Sequence, residues 1–169
     1  FFKISNFFDQ DTVDNLKSEI LEITKTRPKE IFFYTDRNKL IRRIERFYNH
    51  TKLLNNINEK VLKLLKDVFG DDYYLFKDKY NFKPPKGEGF YAHYDGIFHW
   101  TDKNDVKRKG WHDYADEFIN VLIVLDDFTD ENGSLEISEA HKGGFDDLIK
   151  NTKKNGTPDI REDLISTYS

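Results

Sequence analysis

The chain changes character at Gly70. Before it, apolar residues recur at helical spacing. After it, they alternate or run together in short stretches cut by Pro and Gly. Helices first and strands second, with turns rather than helices between the strands, restricts the architecture. A doubly wound parallel sheet would need helices between successive strands, and the strands here are joined by turns and loops. The expectation is therefore α+β, with the N-terminal helices packed on a largely antiparallel sheet. A double-stranded β-helix, or jelly-roll, core is the natural form for such a set of strands.

Taken in order, residues 1–8 alternate loosely and read as a short strand or an extended entry. Asp11-Thr12 opens a helix whose apolar face is Val13, Leu16, Ile20, Leu21 and Ile23, with Pro28 beyond its end. Residues 31–34 read as a strand. Leu40, Ile41, Ile44, Phe47 and Tyr48 predict a second helix over residues 38–50, with Arg42, Arg43 and Arg46 on its outer face. Residues 51–69 are a third helix with a broad Leu/Ile/Val stripe, stopped by Gly70.

Past Gly70, Tyr74, Phe76, Tyr80 and Phe82 share one parity, so residues 72–82 read as a strand. Pro84, Pro85, Gly87 and Gly89 interrupt it, and residues 90–98 form the next strand. Residues 101–116 are polar and read as a loop. The run Phe-Ile-Asn-Val-Leu-Ile-Val-Leu at 118–125 reads as a buried strand. Asn132-Gly133 is a reversal signal, residues 134–138 a further strand, and residues 145–150 a helical turn. The polar tail from Asn151 ends in a second short helix.

Chemistry concentrates at His93-Tyr94-Asp95. On a strand, His93 and Asp95 point one way and Tyr94 the other. An imidazole beside a carboxylate supplies two corners of a metal site. One more His would complete the two-His-one-carboxylate facial triad, which leaves positions open and suits non-haem Fe(II). A surface His–Asp hydrogen bond is the plainer alternative. At 169 residues the chain is read as a single domain. Its net charge of −4 gives no footprint for nucleic acid. No apolar run is long enough to span a membrane, so no membrane partner is expected. Zero Cys excludes disulfides and thiolate chemistry and fits a reducing, cytoplasmic location.

Several pieces together resemble the phytanoyl-CoA dioxygenase group of Fe(II)- and 2-oxoglutarate-dependent oxygenases. They are Asn81-Phe82-Lys83-Pro84-Pro85, His93-Tyr94-Asp95, Asn120 through Asp127, Glu131-Asn132-Gly133-Ser134-Leu135 and Glu139-Ala140-His141-Lys142. The opening, Phe1-Phe2-Lys3-Ile4-Ser5-Asn6-Phe7-Phe8 before a helix, is similar too. The resemblance implies that His93 and Asp95 are catalytic metal ligands for Fe(II), with 2-oxoglutarate as cosubstrate and O2 as oxidant. It implies oxidation, usually hydroxylation, of a C–H bond in a small molecule. Asp95 argues against the related halogenases, which lack this carboxylate. His141 matches a His that is not normally a ligand. The family's last ligand His and its 2-oxoglutarate-binding Arg find no match, Arg161 included. The oxygenase-like domain over 1–169 is therefore expected to be incomplete at its C-terminal end.

Lys79, Tyr80, Lys83 and Tyr91 lie on strands expected to flank the metal strand, and are candidates to face the cosubstrate. Trp100 and Trp111 frame the 101–116 loop and are candidates for a substrate wall. Lys107, Arg108 and Lys109 within it would suit an anionic substrate beneath a closing lid, or be a solvated lid tip. Two other classes stay open: a cupin-like hydrolase or isomerase using Zn²⁺ or Mn²⁺ on the same pair, and a non-catalytic jelly-roll binding module.

Overall fold

The structure is a computed structural model that describes residues 1–85, 89–138 and 143–167. Its content is mixed α and β, in two compact units: residues 1–88 with 125–127, and residues 89–124 with 128–169. No helix of the described residues is long and apolar enough to cross a membrane.

In the first unit, helix α1 (Gln10–Thr26) starts where the Asp9 carboxylate accepts the Thr12 amide at 2.8 Å. Those bonds to Thr12 hold the Asp9 carboxyl below its usual range. Leu16, Ile20 and Ile23 recur at helical spacing and are buried. Burying each contributes about 2 kcal/mol. Helix α2 (Lys52–Phe69) is capped by Thr51, whose hydroxyl accepts the Leu54 amide at 3.2 Å, and it buries Leu54, Ile57 and Leu65. The Thr51 hydroxyl also donates to Glu19 of α1. Gly70 ends α2 at φ +77°, as its position predicts.

Between the helices the expected helix at 38–50 is replaced by a strand. Strands β1 (Phe32–Thr35) and β2 (Ile41–Glu45) form an antiparallel hairpin that pairs Phe33 with Ile44 and Tyr34 with Arg43. The two-residue strand β3 (Tyr80–Asn81) adds to β2, giving the sheet order β1-β2-β3. Two carboxylates account for the change. Asp36 accepts the Asn38 and Leu40 amides at 2.8 and 3.0 Å and turns the chain back on itself. Asp78 accepts the amides of Arg46, Phe47 and Tyr48 at 2.8, 2.6 and 3.0 Å. In a helix over 38–50 these amides would have bonded to carbonyls four residues back. Partners some thirty residues away take them instead, so tertiary structure overrides the helical spacing.

Asp78→Ala is accordingly expected to destabilise this unit by about 2 kcal/mol, because three amides lose a charged acceptor at once. Urea denaturation followed by helical circular dichroism measures it. A midpoint unchanged from the parent would mean that water replaces the carboxylate without cost.

The second unit has a small core of Tyr94, Ile97, Phe145, Leu148 and Ile160, with Ile149 and Leu164 packed against it. Among the described residues its regular elements are the hairpin of β4 (Trp100–Thr101) and β5 (Lys107–Arg108), the short helix α3 (Phe145–Leu148), and four 3₁₀ turns, at Gly110–Asp113, Asp130–Asn132, Ile149–Asn151 and Glu162–Thr167. Gly133 follows the second of these turns at φ +74°, so the reversal expected at Asn132-Gly133 is present. Both short C-terminal helical turns expected from the sequence are also present.

The expectations for residues 1–8, 72–82, 90–98, 101–116, 118–125 and 134–138 need correction. Over 90–98 no strand forms, and the pairing there is the isolated bridge of His93 to Asp159. Residues 1–8 are not a strand. The strand expected over 72–82 shrinks to Tyr80–Asn81. Residues 118–125 and 134–138 pair with no strand among the described residues, and Val121, Leu122, Val124, Leu135 and Ile137 are exposed. Apolar strand-length runs become strands only where a neighbouring strand takes their backbone bonds, and no described strand lies beside these. The 101–116 segment is not a structureless loop but the β4–β5 hairpin followed by a 3₁₀ turn. Asp102 organises it, accepting the Asn104 and Val106 amides at 2.8 and 3.0 Å.

Candidate functional site

His93 sits on a short antiparallel ladder made with the polar tail. His93 bridges Asp159, and Thr152 bridges Ile160. The Ile160 amide donates to the Ala92 carbonyl at 2.8 Å and the Tyr94 amide to the Pro158 carbonyl at 3.1 Å. On the outer side the Lys153 amide donates to the Asp159 carbonyl at 2.8 Å. Sequence reasoning missed this use of residues 151–161. The available signal was Ile160, a β-branched residue isolated among polar neighbours two positions after Pro158.

The alternation expected along the triplet holds. Tyr94 is 6% exposed and faces the small core, and its hydroxyl accepts from the Asn151 amide group at 3.3 Å. The side chains of His93 and Asp95 lie together on the other face, 35% and 37% exposed, with Nε2 and Oδ1 3.7 Å apart. The His93 Nδ1 is 2.7 Å from the Tyr91 carbonyl oxygen. A carbonyl only accepts, so Nδ1 carries the proton. In the neutral ring, Nε2 then presents its lone pair towards Asp95. A lone pair and a carboxylate facing each other beyond hydrogen-bond distance suit a shared cation. The carbonyl that fixes the tautomer plays the part such an outer partner plays in metal sites. These donors fit two corners of a facial Fe(II) site. Among the described residues no group of three His, Asp or Glu side chains is arranged to hold a metal. His141 lies outside the described residues.

The other candidates are distributed as follows. Lys79 and Lys83 belong to the first unit and Tyr91 to the second. The Tyr91 ring lies under the Lys153 ammonium, 5.1 Å from its centroid. Tyr80, partly buried in the first unit, has its phenol pushed up by burial and then by Asp126. The Trp100 indole donates to the Gly110 carbonyl at 3.3 Å, and the Trp111 ring packs over Gly96 and beside Phe118. The basic cluster is split. Arg108 donates twice to Asp102, at 2.9 and 2.7 Å, which with the Asn104 and Val106 amides holds that carboxyl below its usual range. Lys109 pairs with Asp146 at 3.0 Å. Lys107 alone of the three has no carboxylate partner among the described residues.

The sequence profile of the phytanoyl-CoA dioxygenase (PhyH) family matches residues 1–157, which include the His93–Asp95 pair. The chain belongs to the phytanoyl-CoA dioxygenase family. The chain is 26% identical over 153 residues to a Stutzerimonas stutzeri protein named "Probable alpha-ketoglutarate-dependent hypophosphite dioxygenase", covering 83% of this chain and 49% of that protein. It is 35% identical over 85 residues to "Dioxygenase lolE1" of Epichloe uncinata, covering 50% of this chain and 28% of that protein. The chain thus spans half or less of the length of these relatives. No solved structure matches it significantly.

Proposed function

We propose that this chain carries the site of a non-haem Fe(II)- and 2-oxoglutarate-dependent oxygenase that oxidises, most often by hydroxylation, a C–H bond of a small molecule. The observation that carries this reading is the His93 Nε2–Asp95 Oδ1 pair, 3.7 Å apart on one face, within the segment matched by the family. His93 would ligate through Nε2, held in the right tautomer by the Tyr91 carbonyl, and Asp95 would add the anionic ligand. When bound, Fe(II) supplies the redox chemistry that couples O2 and 2-oxoglutarate to substrate oxidation. Tyr94, anchored in the core, keeps both ligands on the outer face. Lys79, Lys83 and Tyr91 are assigned to the carboxylates of 2-oxoglutarate, and Trp100, Trp111, Lys107 and Arg108 to the substrate side. The relative named for hypophosphite, a P–H compound, widens the bond class that such a site can attack.

The reading includes one oxygenase domain spanning both compact units, since the family match runs through both. It also includes a double-stranded β-helix core. Residues 118–125 and 134–138 expose β-branched and leucine side chains, which pairing within such a core would bury. A hydrolase or isomerase on the same ligands needs no 2-oxoglutarate. The discriminating experiment is anaerobic addition of Fe(II) and 2-oxoglutarate, expected to produce the weak visible charge-transfer band of a bidentate complex. Metal binding without that band would refute the oxygenase reading.

A further inference from the structure

A cavity of about 330 Å³ opens in the second unit, bounded on one side by the β4–β5 hairpin and on the other by the segment from Ile149 to Thr157. It is the size of a small-ligand pocket. The residues that line it include Lys107, Lys153, Lys154, His99, Thr152 and Thr157, and no lining residue carries a carboxylate. The chain as a whole has 31 acidic against 27 basic residues, so this wall reverses the overall sign locally. Lys153 leans outward to Glu162 at 3.3 Å, and that carboxylate's side chain is 82% exposed. Lys107 and Lys154 have no carboxylate partner among the described residues. Three lysines thus border one hollow with no carboxylate among its lining residues, so an entering anion meets a wall of net positive charge.

The walls are fixed by backbone rather than by the lysines. The Lys153 amide bonds the Asp159 carbonyl at 2.8 Å, and Thr152, 5% exposed, bridges Ile160. His99 is held through Nδ1, 3.2 Å from the Arg108 carbonyl. Gly156 turns the chain at φ +81°. The cavity is thus a formed hollow, and its cations come from two segments more than forty residues apart in the chain. We propose that it is a binding site for a small oxyanion, a phosphate or carboxylate group, held by Lys107, Lys153 and Lys154. Neither His93 nor Asp95 lines it, and the site needs no metal. Such an anion could be the end of a substrate or a carboxylate of 2-oxoglutarate, and the test separates the two.

Inorganic phosphate is titrated calorimetrically into the metal-free chain at low salt. Saturable binding at millimolar concentrations is expected. Lys107→Gln combined with Lys154→Gln should weaken it at least about tenfold, the scale of two lost charge-assisted bonds. Lys154→Gln alone should give an intermediate loss, and circular dichroism should show both variants folded. Lys29→Gln combined with Lys103→Gln, an equal charge change elsewhere, should leave affinity within twofold or so of the parent. Competition by 2-oxoglutarate would identify the cosubstrate as the source of the anion; its failure to compete would point to the substrate. No saturable binding, or an equal loss in both double variants, would overturn the proposal, while the charge-transfer band tests the oxygenase reading independently.

Discussion

Replacing Asp95 by Ala is expected to abolish Fe(II)-dependent consumption of 2-oxoglutarate while leaving the fold intact. The carboxylate is one of two donors that converge on the candidate metal position, 3.7 Å from His93 Nε2. Its loss should cost more than the roughly 10–100-fold seen when a group behind a ligand is removed. The fold should survive because the side chain is 37% exposed and because Tyr94, its neighbour, carries the packing. Decarboxylation of 2-oxoglutarate, read as succinate formed, measures the first point, and tryptophan emission the second. His93→Ala should behave in the same way. Succinate formed by Asp95→Ala at the parental rate would place the metal elsewhere in the chain.

A Gly110→Ala substitution should have the largest effect on stability. Gly110 holds φ +57°, and a Cβ there would overlap the carbonyl oxygen of Gly96 and lie 3.1 Å from that of Phe98. Both obstacles are backbone, so neither can swing aside. The approach is tight because the Trp111 amide bonds the Gly96 carbonyl and the Trp100 indole bonds the Gly110 carbonyl. Left-handed strain alone costs an alanine about 1–2 kcal/mol. The overlap should bring the total above roughly 3 kcal/mol. Gly70→Ala is the control, since φ is also positive there but nothing lies within 4 Å of the added carbon. It should show the strain cost only. Both tryptophans of the chain, Trp100 and Trp111, flank Gly110, so their emission reports this region alone. A red shift at lower denaturant, with the signal of α1 and α2 retained, is the expected result. Coincident changes in Gly110→Ala and Gly70→Ala would mean that the hairpin relaxes around the methyl group.

The two glycines also show how far the sequence could be read. Gly70 was legible as a helix stop because its role is local: it follows an apolar stripe of helical period and needs only its own φ. Gly110 was not, because what confines it is Gly96, fourteen residues earlier. The basic cluster at 107–109 follows the same logic. Its charges were plain in the sequence, but their uses were set by Asp102, Asp146 and a cavity shared with Lys153 and Lys154.

What the sequence determined by itself was whatever depends on spacing along the chain. It determined the two long helices with their buried faces, the turn at Asn132-Gly133, and the shared face of His93 and Asp95 opposite a buried Tyr94. The family was legible in the same way, from short motifs in a fixed order. Only the tertiary structure decided which strand-like segments found partners. Residues 41–45 became a strand because Asp36 turned the chain back on itself and Asp78 captured amides that a helix would have used. The polar tail became the partner of the His93 segment, while the more apolar run at 118–125 formed no strand among the described residues. A helix closes its hydrogen bonds within its own segment, whereas a strand borrows them from a distant one, and that distance is not written in local spacing.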